Sequence, residues 1–184
     1  MRILAISGSL RSRSNNTALL RALREEAPAG VEIELWDGLK ELPPYDADAD
    51  TGPGPAAVDA FRSLVRDADA VFFATPEYNS SVPGALKNAL DWASRPLATN
   101  PFRNKPVAVI GSSTGAFGGV WAAAELRKVL GAMAARVTEA ELAVSHADEK
   151  LDEDGNLLDD DIRQGLRDAL QLLVGELSPA RVAA

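Results

Sequence analysis

The chain has 184 residues, no cysteine, a single histidine, and 27 acidic against 19 basic side chains, for a formal net charge of −8. Those counts exclude disulfides, thiolate metal sites and thiol redox chemistry, and they speak against a Ser-His-Asp hydrolase or a multi-histidine metal centre. The sign of the charge disfavours nucleic acid as a partner, because phosphate neutralisation needs clustered cations.

In chain order, Arg2 to Ser7 is an apolar run that stops at Gly8, the pattern of a buried parallel strand. Ser14 to Thr17 supplies several N-cap residues, and Leu19, Leu20 and Leu23 give the helical spacing of a segment reaching about Glu26. Val31 to Trp36 alternates as a second strand, and the Pro-, Gly- and Asp-rich stretch from Asp37 to Pro55 reads as a surface loop. A helix is predicted over Ala56 to Arg66, a third strand over Ala70 to Ala74, and a loop over Thr75 to Val82. Pro83 then suits the first position of a helix reaching about Ser94. Lys105 to Ser112 reads as strand four, Gly119 to Ala134 as an Ala-rich helix, and Arg136 to Ala143 as a weaker fifth strand. An acidic loop, Asp148 to Asp161, leads to an amphipathic helix over Ile162 to Leu177, with Ser178 to Ala184 expected to fray.

Strands and helices alternate without repeats or linkers. We therefore expect one domain over residues 1–184: a flavodoxin-like, doubly wound, five-stranded parallel sheet of order 2-1-3-4-5 with helices on both faces. In that topology a ligand sits where the strand order reverses, beside strands 1 and 3. No apolar stretch approaches the roughly 20 residues of a membrane span, and no signal-peptide core opens the chain, so the cytoplasm is the expected address.

Three loops leave the carboxyl ends of strands 1, 3 and 4. The first, Gly8 to Thr17, is neither G-x-G-x-x-G nor a Walker loop. It does set the hydroxyls of Ser9, Ser14 and Thr17, the amide of Asn16 and the guanidinium of Arg11 where a helix begins, which suits one phosphate dianion. A capped helix with exposed polar residues would look the same. The second loop, Thr75 to Gly84, is stiffened by Pro76 and Pro83 and offers Asn79 and Tyr78 to a planar ring, or is simply a β–α connection. The third, Ser112 to Gly119, carries hydroxyls at Ser113 and Thr114 and glycines at 115, 118 and 119. Those glycines either admit a ring close to the backbone or serve a tight turn. An anion end and a flat polar-edged slot together fit FMN.

These segments resemble the NAD(P)H-dependent FMN reductase family, whose relatives include quinone, chromate and azo-dye reductases. The resemblance rests on GSLR with Ser14 and Asn16, on PEYNSSVPGALKNALDW from Pro76 to Trp92, and on Ser113 through Gly119, and it covers roughly residues 1–145. It implies that Ser9, Arg11, Ser14, Asn16 and Thr17 hold the FMN phosphate. Pro76, Glu77, Tyr78 and Asn79 would line the isoalloxazine, and Ser113, Thr114 and Gly115 would meet its other edge. It further implies NADPH or NADH as donor, ping-pong hydride transfer to a flavin, quinone or similar small acceptor, and a homodimer or homotetramer with the flavin near the interface. The competing readings are a flavodoxin-type carrier without nicotinamide turnover and a non-redox phosphate-ester binder.

No catalytic side chain and no metal ligand is assigned. Lys87 and Asp91 read as an i,i+4 ion pair, His146 as a polar loop residue, the acidic run after it as a solvated face, and Trp36, Trp92 and Trp121 as packing residues.

Overall fold

The structure is a computed structural model that describes residues 1–51 and 54–177. The tail expected to fray, from 178 onward, lies outside the described residues. Strands β1 (Arg2–Ser7), β2 (Glu32–Trp36), β3 (Ala70–Thr75) and β4 (Pro106–Ser112) alternate with helices α1 (Asn15–Glu25), α2 (Ala56–Asp67), α3 (Gly84–Ala93) and α4 (Val120–Ala132). The sheet is parallel, in the order β2-β1-β3-β4-β5, where β5 is Arg136–Val137. The order reverses between β1 and β3, as expected for a doubly wound sheet.

Each central strand is buried on both sides, so its side chains alternate between two cores. Leu4, Ile6, Val71, Phe73, Val107 and Val109 face α2, α3 and α4. Ile3, Ala5, Phe72, Ala74, Ala108 and Ile110 face α1 and the last helix, α5 (Asp160–Gly175). That two-sided burial is why these strands read as continuous apolar runs. Among the described residues no helix is long and apolar enough to cross a membrane.

Several expectations change. The fifth strand is two short pieces, β5 (Arg136–Val137) and β6 (Ala143–Val144), each paired with β4. Residues 139–141 leave the ladder between them, while Thr138 N still donates to Val107 O and Leu142 O accepts from Gly111 N. There the half-buried Arg127 of α4 donates to the carbonyls of Val109 and Ala140, bridging the gap with a side chain. The segment after β2 is a surface loop only in its later part, where Asp46 to Ala49 are exposed: its start forms a 3-10 turn (Gly38–Lys40) and buries Leu39 and Leu42. The Pro43 carbonyl accepts from both Asn88 Nδ2 (2.9 Å) and Trp92 Nε1 (2.8 Å) on α3.

The acidic run is also structured. Leu151 and Leu157 pair across it, and Leu157 is buried against the α1–α5 core. Asp152 gathers the backbone N–H groups of Asp154 and Asn156, while Arg13 of the first loop donates to the Glu153 carbonyl at 2.8 Å. Trp121, finally, is 47% exposed and touches Phe117 rather than packing inside. Trp92 is buried, Trp36 stacks on Phe61 at 4.3 Å, and Lys87 pairs with Asp91 at 2.6 Å, as read from the sequence. Pro83 stands at the N-cap position of α3, one position earlier than expected.

Candidate functional site

The loops after β1, β3 and β4 converge on one rim and enclose a cleft of about 100 Å³ at the point where strand order reverses. Nine of the expected site residues line it: Ser9, Arg11, Ser14 and Asn16 from the first loop, Pro76, Glu77 and Tyr78 from the second, Ser113 and Thr114 from the third. Three stand outside it. Thr17 faces a neighbouring groove on the other side of the first loop, and Asn79 and Gly115 lie one residue beyond the lining of their loops. Asn15 and Ser112 also line the cleft and went unnoticed in the sequence, since nothing local marks which face of a helix start or strand end turns inward.

Ser14 is the N-cap of α1, and its hydroxyl accepts from Thr17 N at 3.2 Å. The next two backbone N–H groups, of Asn15 and Asn16, have no partner among the described residues, as the first turn of a helix leaves them. Arg11 is exposed, and its Nη2 donates to the Arg13 carbonyl at 2.8 Å. This rim therefore offers free donors and positive charge at a helix start, the chemistry that holds a phosphate.

Asn16 is buried at 4% exposure. Its Nδ2 donates to the Ser112 carbonyl at 3.3 Å, tying α1 to the end of β4, while its Oδ1 has no partner. The buried hydroxyl of Ser112 is likewise unpartnered. Leaving such groups unpaired costs about 1–3 kcal/mol each, a cost that a bound water or a polar ligand would relieve. Asn16 Oδ1 is an acceptor, so what it calls for is an N–H or O–H.

The second loop turns at Asn79 and Ser80, whose φ angles of 53° and 59° are both left-handed. Tyr78 and Ser81 exchange backbone hydrogen bonds of 3.1 and 3.2 Å across them, the pattern of a two-residue hairpin turn. The turn leaves Tyr78 half exposed beside the cleft. Glu77, expected at a ring edge, uses its carboxylate otherwise: Oε2 accepts from Trp121 N at 3.0 Å and Ala122 N at 3.1 Å. It thereby satisfies the start of α4, which has no side-chain cap of its own. A second tie runs from the Ser81 hydroxyl to Glu125 at 2.6 Å. That donation, with the Val82 N–H and the nearby Lys128 and Lys87, holds the Glu125 carboxyl below its ordinary range.

The third loop folds back over the sheet end. Gly118 has φ +60°, and a Cβ there would lie 2.7 Å from the Ala143 carbonyl carbon. This glycine serves the chain's own close packing on β6 rather than a ring. The same strand end clamps the loop: Ser113 N donates to Val144 O, Ala147 N to Ser113 O and His146 N to Gly115 O. The cleft lining is thus held from both sides by backbone. Among the described residues no cluster of His, Cys, Asp or Glu could hold a metal ion.

Residues 1–149 match the model of a family described as NADPH-dependent FMN reductase. An NAD(P)H-dependent FMN reductase of Pseudomonas aeruginosa is 44% identical over 174 residues, covering 94% of this chain and 93% of that protein. A 2-hydroxy-1,4-benzoquinone reductase of a Burkholderia species is 38% identical over 168 residues, 91% of each chain. Among solved structures, the NAD(P)H:(acceptor) oxidoreductase FerB of Paracoccus denitrificans superposes with a TM-score of 0.85 at 32% identity over 96% of both chains.

Proposed function

The chain belongs to the NADPH-dependent FMN reductase family, and on that premise we propose that it is an FMN-dependent oxidoreductase, taking electrons from NADPH or NADH and passing them to a flavin or quinone. The observation that carries this reading is the cleft at the strand-order reversal, where free helix N–H groups stand beside two buried, unpartnered side-chain oxygens.

The cleft fits the phosphate and polyol of FMN. Ser9, Arg11 and the backbone N–H groups of Asn15 and Asn16 hold the phosphate, with Ser14 presetting the helix start and Thr17 flanking it. Asn16 Oδ1 and Ser112 Oγ take the hydrogen-bond donors of the polyol and ring. Pro76 and Tyr78 wall the ring, Ser113 and Thr114 meet its polar edge, and Asn79 and Gly115 shape the loop tips. Glu77 acts at one remove, fixing the second loop to α4. A bound flavin supplies the transfer of two electrons between nicotinamide and acceptor. The protein's share is position and polarity, and no side chain in the cleft is needed as an acid or base.

Next to the cleft lie the exposed apolar side chains of Tyr78, Phe117, Val120 and Trp121. Such a patch on a protein of net charge −8 fits burial against a second copy, and we assign the chain as a homo-oligomer in the cytoplasm, where its donor is abundant. Light scattering of the wild type and of Trp121→Glu tests the assembly; a monomeric wild type refutes it.

The purified protein, supplied with FMN, is expected to show a bound flavin spectrum that NADPH or NADH bleaches without air and a benzoquinone restores. Protein that takes up no flavin overturns the reading. Flavin that binds but resists bleaching by either donor makes the chain an electron carrier instead.

A further inference from the structure

On the far side of the first loop from the cleft lies a second, larger groove of about 400 Å³. Ser9 and Arg11 line both spaces, so groove and cleft flank the same loop. The groove's outer wall is the segment that leaves β2, with Trp36 and Leu39 as apolar surface. That wall is built to stay close. A Cβ on Gly38 would lie 2.6 Å from Trp36 Nε1, so only glycine lets the turn fold against the indole edge.

Four charged side chains line this groove besides Arg11: Arg21 from α1, and Asp37, Lys40 and Glu41 from the turn. Among the described residues none of the four side chains makes a hydrogen bond or ion pair. Some charged side chains elsewhere do find partners, as with Arg2 and Glu34, Arg62 and Asp50, or Arg163 and Glu26. Two free cations and two free carboxylates around an apolar wall match a ligand with one phosphate, several hydroxyls and a flat base. Asp37, the residue directly after β2, also holds the place where doubly wound dinucleotide-binding sheets set the carboxylate for a ribose hydroxyl.

We propose that this groove takes the adenosine-phosphate half of the pyridine nucleotide donor, its phosphate on Arg21 and Lys40, its ribose on Asp37 and its base against Trp36 and Leu39. The nicotinamide half then crosses the first loop toward the flavin ring. The proposal rests on the oxidoreductase reading for its donor, but its binding arm does not need turnover.

The test compares NADPH with reduced nicotinamide mononucleotide, which carries the reacting ring and lacks the adenosine half. In the FMN-loaded double variant Arg21→Gln/Lys40→Gln, we expect KM for NADPH to rise about tenfold or more, the loss of a charge-assisted phosphate contact. KM for the mononucleotide should stay unchanged. Equal shifts for both donors, or none for NADPH, overturn the proposal. Independently, calorimetry of FMN-loaded wild type with AMP should show binding that the double variant and Asp37→Asn weaken; absence of AMP binding to the wild type also overturns it. If neither donor bleaches the wild type while AMP still binds, the oxidoreductase reading fails and the groove stands.

Discussion

The two rims of the sheet are built to opposite rules. At the amino-terminal rim, main-chain ends are closed off. Arg2 N donates to Asp69 Oδ2 at 2.7 Å, the N-terminal ammonium to Gly30 O at 2.8 Å, and Arg136 Nε to Asn104 O at 3.2 Å. The half-buried Lys105 donates to the carbonyls of Arg66 and Ala68, where α2 ends. At the carboxyl rim the opposite holds: free helix N–H groups, buried oxygens without partners, left-handed residues at Asn79 and Ser80, and exposed aromatics. One end of the same strands is spent on stability, the other left open for a ligand. Unsatisfied polar groups are costly, and two of the four buried unpartnered side-chain atoms among the described residues, Asn16 Oδ1 and Ser112 Oγ, lie at this rim.

That contrast can be broken by substitutions that separate binding from stability. The largest effect is expected for Arg11→Ala. FMN affinity should fall about 10- to 100-fold, the range of a charge-assisted phosphate contact, while the urea midpoint stays put because this side chain touches only an exposed loop carbonyl. Unchanged flavin affinity by fluorescence titration would remove the phosphate assignment.

At the opposite rim, Lys105→Met keeps the buried stem but leaves two carbonyls without their donor, and should lower unfolding free energy by about 1–2 kcal/mol. Its flavin affinity should match the wild type; a parallel loss of both would show that the rims are not independent. Glu77→Ala sits across the divide. Loss of the carboxylate that serves the start of α4 should cost about 1 kcal/mol in urea and loosen flavin binding severalfold, since the same group anchors the second loop.

The smallest effect sharpens the picture through pH. Arg163 and Arg167 hydrogen-bond to Glu26 at the closed end of α1 and hold its carboxyl below the ordinary 4.5. A depressed folded-state value means the contribution is present above 4.5 and disappears as pH falls through the folded value. Urea midpoints of the wild type and Glu26→Gln should therefore differ at neutral pH and converge in acid. A constant gap down to the acid transition would contradict the sign.

Much of the site was legible because its signals are local. Ser14 precedes a helical apolar spacing and caps the helix it announces; Pro76 to Trp92 is a contiguous run whose residues share one β–α unit. The inward-facing partners were not legible. Asn16 meets Ser112 across 96 positions and Glu77 meets Trp121 across 44, and no local pattern marks such pairs. For the same reason Trp121 reads only as a packing residue, though its helix turns it to solvent beside Phe117.

By itself the order of residues determined the alternation of strand and helix. With the right-handed rule for parallel crossovers it also determined the winding of the sheet, because period and chirality are properties of short segments. Only the tertiary structure decided that the start of the stretch after β2 walls a groove, that the fifth strand breaks around Arg127, and that two buried oxygens are left unpartnered at one rim. Those outcomes depend on which distant backbone and side-chain groups come within hydrogen-bonding reach, a matter settled by packing and invisible to any window of neighbouring residues.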